Sequence, residues 1–293
     1  MNPPAVSLRT ETARGVRSIV LCRADEYNTI TPQLRDELVA AIDEADTDAE
    51  VRVILLRAEG PAFCAGYGLD WSTAGEPGGQ AGAAGWDSVA DLRVMSRFVD
   101  AYMRLWYARK PTIAAVQGWC IGGGTDMVLC ADIIVAAETA VFGYPPSRVW
   151  GTPTTAMWVY RMGLERAKRY LLTGDEISAA EAARIGLILE AVPNDELLER
   201  ATDLARRMAL LPANQLIMLK LLCNQTVENM GMASSRLLGT LFDGVARHTG
   251  EGLDFVDRAR EVGFRQAVRE RDDRFGDYGS GPRSRRGRPD QSG

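Results

Sequence analysis

Two glycine-containing segments have the composition of backbone turns that can hold a negatively charged oxygen. The first is AFCAGYGLD, residues 62–70, and the second is GWCIGGGTDMVLCADI, residues 118–133. In the second segment the glycines Gly122–Gly124 precede a predicted helix that begins near Thr125. N–H groups at the start of a helix lack intrahelical acceptors, so two such groups aimed at one point would stabilise a developing oxyanion. The spacing differs from that of dinucleotide-binding and phosphate-binding glycine loops.

The composition limits the kinds of site that this chain can build. It has 293 residues, of which 46% are hydrophobic and 25% charged, as is ordinary for a globular protein. The formal net charge of −5 argues against nucleic acid as the main partner, because binding a phosphate backbone needs a dense basic surface. His248 is the single histidine, which excludes zinc sites built on several histidines. The five cysteines lack C-x-x-C spacing, so we expect reduced thiols.

Strand-like and helix-like segments alternate, which predicts an α/β core followed by a helical C-terminal part. Thr31 followed by Pro32 is typical of a helix start, and Ser178 with Glu181 is typical of a capping box. Gly186 is placed to end the second of these helices. The predicted strands are 16–22, 51–57, 112–117, 132–136 and 187–192, and the predicted C-terminal helices are 195–211, 213–227 and 232–247.

The expected organisation is a flexible N-terminus (1–14), an α/β core (15–200), a helical region (201–275) and a disordered tail (276–293). The tail is rich in Gly, Pro, Ser and Arg, which cannot support a core. Residues 72–85 are rich in Gly and Ala and are interpreted either as a surface loop or as a mobile lid. The N-terminal residues contain no apolar signal-like run, and no stretch has the length of a membrane span, so we expect a cytoplasmic protein.

Together with VFGYPPSRVWGTP at 141–153, the two glycine segments resemble the enoyl-CoA hydratase/isomerase (crotonase) superfamily, over roughly residues 15–275. The resemblance implies an α/β fold, a crotonase-like spiral of ββα units with a C-terminal helical trimerisation region. It also implies homotrimers, often paired into hexamers. The implied substrate is an acyl-CoA thioester, with no metal and no cofactor beyond the coenzyme A of the substrate. Nucleic acid and membranes are not expected as partners.

The resemblance assigns site residues position by position. The oxyanion hole falls on the backbone N–H groups of Ala65 and Gly123, and Asp126 takes the position of the family's first catalytic glutamate. The position of the second glutamate is Pro146, which can neither accept nor donate a proton. Losing one general acid or base typically costs about 10²–10⁴ in rate, so hydration by two glutamates is not expected. The expected substrate-binding residues are Arg23, Gly66, Tyr67, Gly122, Tyr144 and Pro146.

Three functions remain open from the sequence. The first is an enolate-forming enzyme with the family label enoyl-CoA hydratase, in which Asp126 moves a proton. The second is double-bond isomerisation, or decarboxylation of a malonyl-type thioester, since each needs only one proton carrier. The third is a non-catalytic acyl-CoA-binding or assembly protein. Pro146 motivates this third hypothesis, as does Glu26 where many family members have a basic residue near the CoA phosphates.

Overall fold

A computed structural model describes residues 6–68 and 86–278. Its strands form a six-stranded sheet and a four-stranded sheet. The larger sheet has the order β1 (Leu8–Ala13), β2 (Val16–Leu21), β3 (Val53–Ala58), β5 (Thr112–Val116), β7 (Ile133–Ala137) and β10 (Glu190–Val192). The smaller sheet has the order β4 (Ala62–Cys64), β6 (Trp119–Ile121), β8 (Val141–Gly143) and β9 (Ile177–Ser178). Only β1 and β9 pair antiparallel to their neighbours in these sheets.

Helices connect the strands and make up most of the described chain after β10. Those in the described residues are α1 (Pro32–Thr47), α2 (Ser88–Tyr107), α3 (Gly123–Val128), α4 (Met157–Met162), α5 (Leu164–Leu171), α6 (Ala179–Arg184), α7 (Leu197–Ala209), α8 (Ala213–Asn229), α9 (Met232–Arg247), α10 (Gly250–Val262) and α11 (Phe264–Asp273). None of them is long and apolar enough to cross a membrane. The predicted α/β core and helical C-terminal part are both confirmed.

Local signals placed most element boundaries correctly. The hydroxyl of Thr31 accepts a hydrogen bond from the Leu34 N–H at 3.2 Å, and Pro32 is the first residue of α1. The hydroxyl of Ser178 accepts from the Glu181 N–H at 3.3 Å and begins α6. These side-chain caps satisfy N–H groups that have no intrahelical acceptor. The last predicted strand is shorter than expected, because β10 begins only at Glu190.

The prediction of a flexible N-terminus was wrong for residues 8–13. These residues form β1, which pairs with β2 from Leu8 opposite Leu21 to Ala13 opposite Val16. The turn between the two strands contains Arg14 and Gly15, both with positive φ, as two-residue hairpins require. The sequence LRTETA was misread because β1 is an edge strand with five exposed residues. Its polar side chains face solvent, as is usual at sheet edges.

Alternation along the strands divides the apolar side chains between the two faces of the larger sheet. On one face Leu56 belongs to the main core, together with Phe98 of α2 and the fully buried Trp158 of α4. On the other face Leu55 packs in a second cluster with Ala201 of α7. The α/β core therefore has helices on both faces of a mostly parallel sheet.

The chain remains packed beyond the predicted start of the disordered tail at Gly276. Asp277 forms an ion pair with the buried Arg148 at 2.6 Å. The Tyr278 hydroxyl donates a hydrogen bond to the Gly174 carbonyl at 2.8 Å. The boundary at 276 was therefore wrong, because an aromatic ring and a carboxylate find buried partners there. The rest of that tail and the predicted loop at 72–85 lie outside the described residues.

Candidate active site

The smaller sheet brings the two glycine segments together. Strand β4 pairs parallel to β6, with Cys64 opposite Cys120, so the turns that follow both strands lie at one edge. A Cβ atom added to Gly66 would lie 3.3 Å from the Ile121 carbonyl oxygen and 3.7 Å from the Gly123 nitrogen. Gly66 also has a φ of +92°, which favours glycine. The two turns therefore approach each other as closely as their backbones permit.

The Gly123 N–H is an available hydrogen-bond donor. Gly123 is the first residue of α3, two residues earlier than the predicted helix start at Thr125. In the described part of the chain, no acceptor is bonded to this N–H. Helix α3 has only six residues, so its dipole contributes little and the donor acts mainly through its own N–H.

The Ala65 N–H, the second expected donor, already has a partner. It donates to the Tyr27 carbonyl oxygen at 3.1 Å. Tyr27 follows the short 3-10 helix Ala24–Glu26 and has a positive φ of 52°. The loop between β2 and α1 therefore holds the turn at Ala65 in place, and an incoming oxygen would have to share this donor.

A cavity of about 850 Å³ opens beside the two turns. Its wall includes both oxyanion-hole positions, Ala65 and Gly123. It also includes all of the expected substrate-binding residues, which are Arg23, Gly66, Tyr67, Gly122, Tyr144 and Pro146. Residues that are distant in sequence thus meet around one space. Asp126 is the one predicted site residue that does not line this cavity.

Asp126 lies behind the cavity wall with its carboxylate enclosed by threonines. Its side chain is fully buried. Oδ2 accepts hydrogen bonds from the Thr154 N–H at 2.9 Å and the Thr154 hydroxyl at 2.8 Å, and Oδ1 accepts a longer one from Thr155. Burial raises the pKa of Asp126 to about 7, although the bonds from Thr154 favour the anion. Asp126 is not among the residues that line the cavity, so its expected role as a proton carrier stays a prediction.

Two tyrosines form the wall next to the Gly123 turn. A Cβ atom added to Gly123 would lie 2.8 Å from Cε2 of Tyr67, so that ring covers the turn directly. The Tyr67 hydroxyl accepts a hydrogen bond from Tyr102 at 3.1 Å. The Tyr144 hydroxyl donates to the Thr152 carbonyl at 2.7 Å. Burial raises the pKa of both wall tyrosines well above the ordinary value, so these phenols are neutral.

The cavity also contains a charged cluster that the sequence analysis missed. Asp243 of α9 accepts from Nε of Arg247 at 3.2 Å, and Asp91 of α2 accepts from Nη2 of Arg247 at 2.9 Å. Asp91 and Asp243 are only 2% and 7% exposed. A side chain at Gly244 would overlap Oδ2 of Asp91, so the glycine lets α2 approach α9. The sequence does contain a signal for this cluster. Asp243 and Arg247 lie four residues apart within an apolar run, which places them on one face of a helix.

Burial and two neighbouring charges change the pKa of Asp243, and not all in the same direction. Burial raises the pKa of its carboxyl, and the Arg247 guanidinium opposes this. The second carboxylate, Asp91, adds to the rise. Desolvation prevails, as it does for many carboxyl groups in enzyme cavities.

The cavity rim carries cations from the C-terminal helix. Arg265 and Arg269 of α11 are exposed and line the cavity one helical turn apart. Neither guanidinium forms an ion pair or a hydrogen bond with another described residue. Arg23, the cation expected from the sequence, is bound to its own loop through Glu26 and the Thr29 carbonyl. The freer positive charge at this rim therefore belongs to α11.

His248, Trp86 and Trp150 make packing contacts. His248 follows α9, and its Nδ1 lies 2.7 Å from the Gly244 carbonyl oxygen. Its ring stacks on Trp86 at 4.5 Å. Trp150 packs against Phe255 and Phe264, which holds α10 and α11 against the cavity wall.

Comparisons with known proteins give one consistent result. Over residues 11–265 the chain matches the family described as enoyl-CoA hydratase/isomerase. A solved enoyl-CoA hydratase from Mycobacterium smegmatis is 42% identical with a TM-score of 0.88, covering 94% of this chain and 96% of that one. An enoyl-CoA hydratase/isomerase from Xanthobacter autotrophicus Py2 is 29% identical with a TM-score of 0.84, covering 92% and 98%. A Rhizobium meliloti protein named "Probable enoyl-CoA hydratase" is 33% identical over 235 residues, covering 76% of this chain and 82% of its own.

Proposed function

Because the chain belongs to the enoyl-CoA hydratase/isomerase family, we propose that it binds a 2-enoyl-CoA thioester and adds water across the double bond. One observation carries this proposal: the Gly123 N–H, without an acceptor in the described residues, borders the cavity beside the Ala65–Gly66 turn. A donor in this position suits a thioester carbonyl oxygen that gains negative charge as the enolate forms.

Two backbone donors would share the developing charge. Gly123 supplies the first, and Ala65 supplies the second by sharing its N–H between the Tyr27 carbonyl and the thioester oxygen. One such donor is worth roughly 2.7–4 kcal/mol of transition-state stabilisation in comparable sites. The Tyr67 ring, which covers Gly123, would shield these hydrogen bonds from water and so strengthen them. This chemistry needs only backbone donors and a proton carrier, so coenzyme A enters as part of the substrate.

The rim arginines suit the anionic end of coenzyme A. Arg265 and Arg269 lie one turn apart on α11 at the cavity edge, where guanidinium groups can pair with phosphates. We expect the double substitution Arg265→Gln and Arg269→Gln to raise KM for crotonyl-CoA by about tenfold, since each lost phosphate contact weakens ground-state binding. KM for crotonyl-pantetheine, which lacks the nucleotide phosphates, should not change. An equal rise for both thioesters would contradict this assignment.

Double-bond isomerisation is the second candidate, and Pro146 favours it. Neither position that carries a glutamate in the family brings a carboxylate to the cavity, because Pro146 has none and Asp126 is enclosed by threonines. Isomerisation needs one proton carrier, which removes a proton from one carbon and returns it to another.

The absorbance of the thioester-conjugated double bond separates these functions. The purified protein is mixed with crotonyl-CoA and with longer trans-2-enoyl-CoAs, and products are identified by mass spectrometry. Loss of absorbance with a hydroxyacyl product supports hydration. Formation of conjugated product from a 3-enoyl-CoA, without hydration, would favour isomerisation. Acyl-CoA binding by calorimetry without turnover of either substrate would favour a non-catalytic binder, and the absence of binding would refute the proposal.

We also propose that the chain forms homotrimers or hexamers through α8 and α9. Several large apolar side chains on these helices are exposed in the monomer, and they include Met218, Leu221, Leu222, Leu237 and Leu238. Several large apolar side chains exposed on neighbouring helices are typical of an interface between subunits. Light scattering coupled to size exclusion would give the mass, and a monomer at micromolar concentration would contradict the proposal.

A further inference from the structure

Helix α9 brings a carboxylate close to Pro146, the position at which the family carries its second glutamate. A Cβ atom added to Gly151 would lie 3.0 Å from Cβ of Pro146 and 3.3 Å from Oδ1 of Asp243. One point therefore touches both side chains. On its other side, Pro146 Cγ lies 3.6 Å from a Cβ added to Gly122. The oxyanion turn, Pro146 and Asp243 thus follow one another along the cavity wall.

We propose, on the premise of the function given above, that Asp243 is a catalytic residue. Its carboxylate would take over the proton transfer that a glutamate at position 146 performs in the family. The acid or base would come from the C-terminal helical region instead of the loop after β8. The proline at position 146 also makes room for this carboxylate, because its ring leaves the space beside Gly151 open to a side chain from α9.

The surroundings of Asp243 are those of a working site and not of a closed ion pair. Within the described residues, two carboxylates, Asp91 and Asp243, form ion pairs with the guanidinium of Arg247, so these three groups together carry a formal charge of −1. Oδ1 of Asp91 is buried and has no hydrogen-bond partner in the described residues. Buried acceptors are rarely left without a donor. A bound substrate or a water molecule in the cavity would provide that donor.

A single carboxylate can complete the addition of water by relaying one proton. In the first step Asp243 accepts a proton from water, the water oxygen bonds to Cβ of the enoyl group, and the π electrons move to the thioester oxygen held by Gly123. In the second step the enolate returns its electrons to Cα, which takes the proton from Asp243. Water has then been added, and Asp243 is again ionised.

Deuterium incorporation at Cα of butyryl-CoA in D2O measures this proton transfer without depending on which enolate reaction the enzyme performs. We expect Asp243→Asn to slow incorporation by roughly 10²–10⁴-fold, the usual contribution of one general acid or base. The dissociation constant for butyryl-CoA, by calorimetry, should stay within about threefold, because the carboxylate acts on the proton and not on binding. Arg247 keeps Asp91 as a partner in this variant, so the fold should survive, which thermal unfolding checks.

The outcomes separate this proposal from its premise. If the wild type does not bind acyl-CoA, the proposed function fails. If the wild type binds butyryl-CoA but incorporates no deuterium, or if Asp243→Asn exchanges at the wild-type rate, the role of Asp243 is refuted while the family function stands. A loss of exchange in Asp126→Asn but not in Asp243→Asn would also refute the role of Asp243. Recovery of exchange by adding Pro146→Glu to Asp243→Asn would support it strongly.

The pH dependence of exchange gives a second test that does not require removing Asp243. As a base it must be ionised, so exchange should fall on the acid side of the pKa of Asp243. Asp91→Asn removes a neighbouring negative charge, which lowers that pKa and moves the acid limb to lower pH. An acid limb that stays in place in Asp91→Asn would contradict the role of Asp243. Within residues 6–68 and 86–278, the charged and titratable groups that act on Asp243 are Arg247, Asp91, Asp126, Tyr67 and Tyr144.

Discussion

Two buried aspartates stand close to the same cavity wall in different surroundings. Asp126 of α3 is enclosed by Thr154 and Thr155, whereas Asp243 of α9 borders the cavity and shares Arg247 with Asp91. Burial raises the pKa of both carboxyl groups. A raised pKa therefore does not distinguish a catalytic carboxylate from a structural one. Position relative to the cavity does distinguish the two groups, because Asp243 lines the cavity and Asp126 does not.

The largest expected difference in stability comes from removing each carboxylate. At pH 5.5 we expect Asp126→Ala to lower the free energy of unfolding by roughly 2–3 kcal/mol, because two buried donors of Thr154 lose their acceptor. Asp243→Ala should cost less, about 1–2 kcal/mol, since Arg247 retains Asp91 as a partner while the Thr152 N–H loses its acceptor. Urea unfolding of both variants measures the difference. Equal losses would show that the two carboxylates contribute equally to the stability of the fold, which would contradict this comparison.

The pH dependence of stability sharpens the comparison at Asp126. A carboxyl with a pKa of about 7 in the folded state, against an ordinary value of 3.8, keeps its proton where the unfolded chain has lost it. The stability that this carboxyl group contributes to the folded state is fully present below about pH 4. It is lost as the pH rises toward 7, at up to about 1.4 kcal/mol per pH unit.

Asp126→Asn has no proton to lose at this position. Between pH 5 and pH 7, the free energy of unfolding of the variant should therefore rise by about 2–3 kcal/mol relative to that of the wild type. Denaturant midpoints of both proteins at the two pH values give this difference. A constant offset between wild type and variant would mean that Asp126 titrates normally in the folded protein.

The smallest expected effects lie in the two threonines that hold Asp126. Thr154→Val should cost about 1 kcal/mol, because a 2.8 Å hydrogen bond to a buried carboxyl is lost. Thr155→Val is the matched control and should cost under about 0.5 kcal/mol, since its 3.4 Å bond is weak. Exchange at Cα should change little in either variant. A large loss of exchange in Thr154→Val would return Asp126 to the list of proton carriers.

Much of the fold could be predicted from local patterns. The apolar runs at 51–57 and 112–117 became strands of the larger sheet, and Thr31 with Pro32 began a helix as expected. These features depend on periodicity and capping, which act between neighbours in sequence. The edge strand β1 could not be recognised in this way. Its exposed polar residues are typical of a sheet edge and lack the apolar pattern of a strand that packs on a core.

The sequence by itself determined the family, the two glycine turns and the loss of a carboxylate at Pro146, because these depend on which residue occupies a position. Only the tertiary structure decided which carboxylate reaches the cavity. Asp126 is six residues after Cys120 of β6, yet its carboxylate bonds to Thr154 and Thr155 and does not line the cavity. Asp243 is far from every motif in sequence, yet the packing of α9 against α2 and Gly151 brings it there. Contacts between distant segments follow from the packing of whole elements, which local residue patterns do not specify.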